Sequence, residues 1–316
     1  MTNKHTVGIL AAISSAVFLG LSPVFGRLAI LEGFSPLATV ALRTGFAAIA
    51  LLIIFFLFFR SYFYIFPIGL IGCVLAGVIN GIGSILYYLA LGRLNATIGQ
   101  LLYSLYPFFV AIWLMLDHQP PSNLTLFRTA LAACAVLLLT WVPQSLVDPV
   151  GVAMMIGAAV MYALHLPINQ RVLYEVPAPT VTLYTLIAMS AVVVPAYLIF
   201  DLQWPGASAP MFPIIALTFV TFFSRLLLFL GIKRIGGMQT ALLGLGELLV
   251  TFIFSYLWLR ESLSSYQWLG AFFLCASLLL IYFESPPVHH VASTRTGWLS
   301  WIRPPDLPKE IFGPYE

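Results

Sequence analysis

Four ionisable side chains stand in the middle of long apolar runs of this 316-residue chain: Arg43, His165, Arg225 and Glu247. A charge in hydrocarbon costs at least about 2.5–3.5 kcal/mol on insertion scales, so each of the four is a candidate for function. Glu247 is the sole carboxylate inside any such run. A carboxylate there has two chemical uses: a fixed countercharge for an ammonium group, or a group that takes up and releases a proton. Arg225 is its candidate partner, and a purely structural ion pair between the two is the plainer alternative. Arg43 suits an anionic ligand group, or the free carbonyls of a broken helix. His165 lies in Tyr162-Ala-Leu-His-Leu-Pro167-Ile-Asn169. Histidine titrates near neutrality, and Pro167 frees a backbone carbonyl one turn earlier, at Ala163. Tyr103, Tyr162 and Asn80 complete the candidate set for ligand binding or coupling. Gln100, Tyr106, Asn169 and Gln239 lie at similar depth. Tyr103 and Tyr106 are three apart and share a helix face, although aromatics at helical spacing are commonly packing residues.

The elements that hold these residues follow from composition. The chain is 61% hydrophobic and 8% charged, against roughly 25% charged residues in a soluble domain. Lipid must cover the surplus apolar surface. Apolar stretches run over 7–30, 36–59, 65–91, 95–116, 124–143, 149–171, 179–200, 211–232, 237–258 and 265–283, each near the roughly 20 residues that cross a bilayer. Alternation at period two is absent, which argues against an outer-membrane barrel. A backbone that must satisfy its own hydrogen bonds in lipid leaves helices. The expected fold is an all-α membrane protein of ten transmembrane helices. Breaks fall at turn and charge signals such as Glu32-Gly33, Arg60-Ser61, Asp117 to Asn123, Asp148-Pro149 and Gly236-Gly237, and the loops are too short for a soluble domain. The first run continues to Ile30, longer than a signal-peptide core. Cys73, Cys134 and Cys275 all lie within apolar runs, without the spacing of a disulfide framework or a zinc site. Span three contains Gly69, Gly72, Gly77, Gly81 and Gly83. Its Gly77-xxx-Gly81 spacing predicts close helix packing.

Lysine and arginine placement sets the expected orientation. With a cytoplasmic N-terminus, Lys4, Arg60, Arg128, Arg171, Lys233, Arg234, Arg295, Arg303 and Lys309 fall inside, and Arg27, Arg93 and Arg260 fall outside. Both termini are therefore expected in the cytoplasm. On this topology Glu247 and Arg225 lie at similar depths, about 12–15 Å from the cytoplasmic helix ends at 1.5 Å per residue. The proline-rich tail 285–316 has no helical period. Its segment Arg295 to Arg303 carries Trp298 and Trp301 and suits the headgroup layer, unless the tail is simply disordered.

The chain also repeats itself. Val7-Gly8 opens one half and Val150-Gly151 the other, and Pro36 and Pro179 follow at the same offset. Ala90-Leu-Gly-Arg-Leu94 resembles Phe229-Leu-Gly-Ile-Lys233. Five spans in each half (1–145 and 146–284) oblige the second half to enter the membrane in the opposite sense, as an inverted repeat. Prolines at matching positions, Pro23 and Pro167, predict interrupted helices there, a pointer to a ligand site between the halves.

The stretches Gly20-Leu-Ser-Pro-Val-Phe-Gly-Arg27, Gly33-Phe-Ser-Pro36 and Ala41-Leu-Arg43 resemble the opening of an EamA-type domain of the drug/metabolite transporter superfamily. Glu247, Trp258-Leu-Arg-Glu261 and Leu269-Gly270 resemble its ending, with Leu248 in place of the usual proline and Arg260 in place of the usual glycine. In the first half Tyr106-Pro107 keeps the proline, while Asp117-His118-Gln119-Pro120 replaces the usual Gly-Glu. The resemblance covers residues 7–283. In the family, the arginine matching Arg43 recurs with different cargo, which favours a structural role for it.

What the resemblance implies is a secondary transporter working by alternating access, exporting small metabolites such as amino acids. It would be driven by an ion gradient, a proton among the candidates, or by the substrate gradient itself. Two alternatives stay open: a carrier of nucleotide-sugar or lipid-linked cargo, and a non-transport receptor or assembly protein. No HExxH, G-x-S-x-G or Walker A motif is present, so no enzyme and no cofactor is expected. The net charge of +3 gives no sign of a nucleic-acid partner. The expected partners are a small-molecule substrate and the lipid bilayer, with the inner (plasma) membrane as the location. Oligomeric state is open.

Overall fold

Proline marks where many of the helices begin. In the computed structural model, which describes residues 3–117, 121–140, 148–201, 209–258, 265–283, 298, 299 and 302, the apolar runs are helical and the described residues hold no strand. The helices are α1 (Asn3–Leu31), α2 (Pro36–Phe58), α3 (Pro67–Arg93), α4 (Ala96–Tyr103), α5 (Tyr106–Leu116), α6 (Asn123–Thr140), α7 (Pro149–Leu173), α8 (Ala178–Phe200), α9 (Phe212–Ile235), α10 (Gly237–Gly244), α11 (Gly246–Trp258) and α12 (Ser265–Leu279). Proline holds the first or second position of α2, α3, α5, α7, α8 and α9, where its missing N–H has no helical partner to lose. Ser35, Asn95 and Asp148 cap α2, α4 and α7 by accepting from Ala38, Ile98 and Val150 N–H groups.

Among the described residues, eight segments are long and apolar enough to cross a membrane, from His5–Leu31 to Gly237–Phe254. Large apolar side chains such as Leu10, Ile53, Phe56, Ile199 and Phe219 stand exposed around the outside, while Arg43, Asn80, Gln100, Arg225 and Glu247 are buried. This is the arrangement expected of a bundle solvated by lipid.

Two expected spans, 95–116 and 237–258, are each broken in the middle. The breaks share one bond pattern. Leu105 N–H turns back to Leu102 O at 3.3 Å and Phe108 N–H to Leu105 O at 3.0 Å; Leu245 N–H turns to Leu242 O at 3.3 Å and Leu248 N–H to Leu245 O at 3.0 Å. Conversely, α1 runs through Pro23 and α7 through Pro167 without ending. The interruptions expected at those prolines are therefore found in the fourth and ninth runs instead. A proline removes one ladder bond, in α7 the one to the Ala163 carbonyl, and the helix continues through it.

The halves interlock. α1 packs along α9 and α7 along α3; α1 crosses α11 and α7 crosses α5; α4 meets α11 and α10 meets α5. Each pairing has its counterpart with the halves exchanged. Glycines permit the closest crossings. A Cβ on Gly77 would lie 2.6 Å from Ala188 Cβ, and one on Gly81 3.0 Å from Val192 Cβ, so the small residues of α3 seat it on α8. Gly236 turns α9 into α10 at φ 84°, a conformation that favours glycine.

The bundle has two ends. At the Arg93 end, Gly151 faces Leu94 and Arg93, and Gly92 faces Pro36. At the Asp117 end, Gly72 faces Val172 and Ile302. Two arginines counted as cytoplasmic surface charges are buried. Arg128 is 0% exposed and donates to Ser277 O and Gln239 Oε1; Arg171 donates to Asp117. Leu299 and Ile302 are also buried, so these two residues of the tail pack on protein. The departures at His118, Gln119, Pro120 and Arg260 and the matching Glu261 lie outside the described residues, as does the rest of the tail, Arg295, Trp301, Arg303 and Lys309 included.

Candidate functional site

Glu247 is the second residue of α11, immediately beyond the break in the ninth run. Its backbone is fixed by α1. A Cβ on Gly20 would lie 2.5 Å from Glu247 O, and the Thr251 hydroxyl is shared between Gly20 O (2.8 Å) and Glu247 O (2.9 Å). The side chain points into a small cavity between the broken helices and α1, α2, α3, α7 and α9. The centre of a water molecule has about 40 Å³ to move in there, room for a few waters.

The cavity brings six of the seven sequence-predicted residues together. Glu247, Arg225, Arg43, Asn80, Tyr103 and Tyr162 all line it. His165 does not. It is 0% exposed and lies behind the wall, its ring 4.7 Å from that of Tyr162 and its Nδ1 against the Tyr162 carbonyl. Arg225 and Glu247 share the cavity without an ion pair between them. The Asn80 amide is oriented by Arg225, its oxygen accepting from Nη1 at 3.1 Å and Nη2 at 3.0 Å, and the guanidinium stands 5.8 Å over the Tyr162 ring. Arg43 donates from Nη1 to Thr221 Oγ1 at 3.0 Å and lies 4.7 Å over Tyr88. Gln100 accepts from the Tyr87 hydroxyl at 3.0 Å and presents its amide to Glu247.

Two charged atoms in this cavity find no partner in the protein: Glu247 Oε1 and Arg43 Nε. Buried polar groups are nearly always satisfied, and exceptions ask for a reason. The unmet carboxylate oxygen and the unmet guanidinium N–H stand among linked tyrosine rings. Tyr103 lies 4.9 Å from Tyr87 and 5.3 Å from Tyr162, and Tyr106 lies 4.9 Å from Tyr162. Tyr106 also ties the two breaks together. Its hydroxyl donates to Ala241 O at 3.0 Å, the carbonyl that Leu245 N–H forgoes, and it fills the place a Gly244 side chain would take.

The model of the EamA-like transporter family matches this sequence twice, over residues 6–141 and 149–283. The chain belongs to the EamA-like transporter family. It is thus a multi-pass membrane protein of the drug/metabolite transporter type. One solved crystal structure superposes on it with a TM-score of 0.67 at 15% identity, covering 87% of this chain and 97% of that one; at such identity the likeness concerns fold alone. No curated protein matches the sequence.

In this EamA-like transporter the two family matches meet at the cavity. Glu247 and Arg225 come from the second match, Arg43, Asn80 and Tyr103 from the first. Sequence reasoning missed Ser84, Tyr87, Tyr88 and Thr221. The first three were within reach: Asn80, Ser84, Tyr87 and Tyr88 fall at the three- and four-residue spacings of one face of α3. Thr221 offered no signal, because hydroxyls inside lipid-buried helices commonly bond their own turn.

Proposed function

We propose that this chain is a secondary transporter of ten spans, in which inverted five-helix repeats (1–145 and 146–284) move against one another to expose the cavity alternately to the two membrane faces. The cargo is a small zwitterionic metabolite such as an amino acid, and the direction is export. Its ammonium group would meet Glu247 and its carboxylate Arg43, with Arg225 held in place by Asn80. The observation that carries this reading is the pair of unmet buried atoms, Glu247 Oε1 and Arg43 Nε, in one tyrosine-walled cavity. Glu247 is also the candidate for proton coupling, being the carboxylate at the break. Both termini would face the cytoplasm of a plasma (inner) membrane, placing the Asp117 end inside and the Arg93 end outside.

A nucleotide-sugar or lipid-linked cargo ranks second. Its several anionic charges call for more cations than the two arginines here, set against one carboxylate. A non-transport receptor or assembly role predicts polar residues paired off without a cavity, and the open space between Glu247 and Arg43 weighs against it.

Counterflow in proteoliposomes with a pool of labelled amino acids, comparing the native chain with Glu247→Gln at two pH values, tests the reading. Uptake above empty liposomes that is lost or made pH-insensitive by Glu247→Gln is the expected result. Equal uptake by both proteins would reduce Glu247 to a structural residue. No uptake by either would reject amino acids as cargo.

A further inference from the structure

The Asp117 end is closed by more than helix packing. Asp117 caps α5 and is 1% exposed. Its Oδ2 accepts from Arg171 Nη2 at 2.7 Å and Nε at 3.1 Å, which joins α5 of the first half to α7 of the second. Its Oδ1 accepts from the backbone N–H of Leu299 at 3.1 Å. One carboxylate therefore clamps both halves and the tail. Three described tail residues complete the seat. Leu299 is 0% exposed and belongs to the same core as Leu114 and Val172. Ile302 is 5% exposed and lies 3.6 Å from where a Cβ on Gly72 would be. The Trp298 ring sits 6.2 Å from Trp113 of α5.

We propose that Trp298, Leu299 and Ile302 act as a latch: they bind across the ends of α3, α5 and α7 and hold the Asp117 end shut, so that the cavity opens toward that end only after these residues leave their seat. The physical reason is the composition of the seat. Leu299 and Ile302 bury apolar surface against helices of both halves, and the Leu299 amide uses a carboxylate lone pair inside the inter-half clamp. Separation of α5 from α7 must break both. Gly72 on α3 has no side chain where Ile302 lies, 3.6 Å from the place of its Cβ, and so leaves room for the tail. The inference rests on the alternating-access reading for its meaning in transport, but its test does not use transport.

The reporter is Val172→Cys, nearly isosteric and 1% exposed in the native chain, in the full-length protein with Cys73→Ala, Cys134→Ser and Cys275→Ser. A membrane-impermeant maleimide is applied with the latch intact, with Leu299→Asp and with Trp298→Ala. Ala29→Cys, 0% exposed and near the Arg93 end, replaces Val172→Cys in a parallel set as the control for unfolding. Leu299→Asp is expected to raise the labelling rate at Val172→Cys by about tenfold or more. Trp298→Ala should raise it by less, and Ala29→Cys should stay protected. Unchanged labelling at Val172→Cys in both variants overturns the latch. If Leu299→Asp loosens both reporters alike, Trp298→Ala decides: a rise confined to Val172→Cys supports the latch, and no rise overturns it. A chain that shows the labelling change but no counterflow of any cargo would keep the latch and lose the transport reading.

Discussion

The two ends of the bundle are fastened by the same chemistry in different surroundings. At the Arg93 end, Arg93 Nη1 meets Asp148 Oδ2 at 2.9 Å with side chains 50% and 31% exposed; at the Asp117 end, Arg171 Nη2 meets Asp117 Oδ2 at 2.7 Å with side chains 2% and 1% exposed. Distance barely separates them. Burial does. An exposed pair trades its bond for water at little cost and is screened by salt, whereas breaking a buried pair strands a charge in a low-dielectric interior. The cavity residues Tyr87, Tyr88 and Gln100 extend from mid-bundle toward the Arg93 end, and the larger apolar core lies toward the other. The molecule is thus held loosely where its cavity reaches and tightly where it does not. The lesson is that a fastening's strength is set by the medium around its ion pair more than by the pair's geometry.

The largest expected effect breaks the buried fastening. Asp117→Ala removes the carboxylate from beside Arg171 and should cost roughly 3–5 kcal/mol, read as a marked fall in thermal stability in detergent. Asp148→Ala gives up an exposed pair and the cap of α7 and should cost distinctly less. Equal losses for the two substitutions would dissolve the contrast. Next in size is packing. A Cβ on Gly72 would stand 2.5 Å from Val172 Cγ2, while one on Gly151 finds its nearest neighbour, Leu94 Cγ, at 3.0 Å. Gly72→Ala is therefore expected to cost about 1–3 kcal/mol by overpacking, measured in the same melts, and Gly151→Ala distinctly less. A larger loss at Gly151 would mean that the Arg93 end is the tighter one.

Much of this contrast was hidden in the sequence, while the helices were not. Apolar runs at 36–59 and 179–200 became helices at Pro36–Phe58 and Ala178–Phe200, because run length and flanking prolines are local properties. The break at Leu105 had a local sign in Pro107, but the one at Leu245 was illegible for the opposite reason. Leu245 has no proline near it, and its turn is matched to Tyr106 from the other half, a contact no local pattern reveals. Pro23 and Pro167 misled because a helix survives one lost bond. In the cavity, Arg43, Arg225 and Glu247 stood out since charge in hydrocarbon is costly wherever it occurs. Asp117 and Arg171 read as loop and surface charges, because each is near a helix end; only the fold, 54 positions of chain apart, puts them in contact and out of water.

The smallest effect is the most discriminating about mechanism. Arg93 donates to Asp148 and holds its carboxyl below the ordinary value of 3.8, with the Val150 N–H adding to the effect. A carboxyl whose folded value is depressed contributes stability that is present above the unfolded value, near 3.9, and is lost as pH falls through the lowered one. The stability difference between the native chain and Asp148→Asn should therefore be small and constant near neutrality and close as the medium is made more acidic than about pH 4. At neutral pH it should also shrink between about 0.1 M and 1 M salt, as the screening length drops from about 10 Å to about 3 Å. The Asp117 fastening, out of reach of mobile ions, should show no such salt response in the matching comparison with Asp117→Asn. A salt response at both ends would mean that water enters the Asp117 seat, and burial would then no longer be what separates the two fastenings.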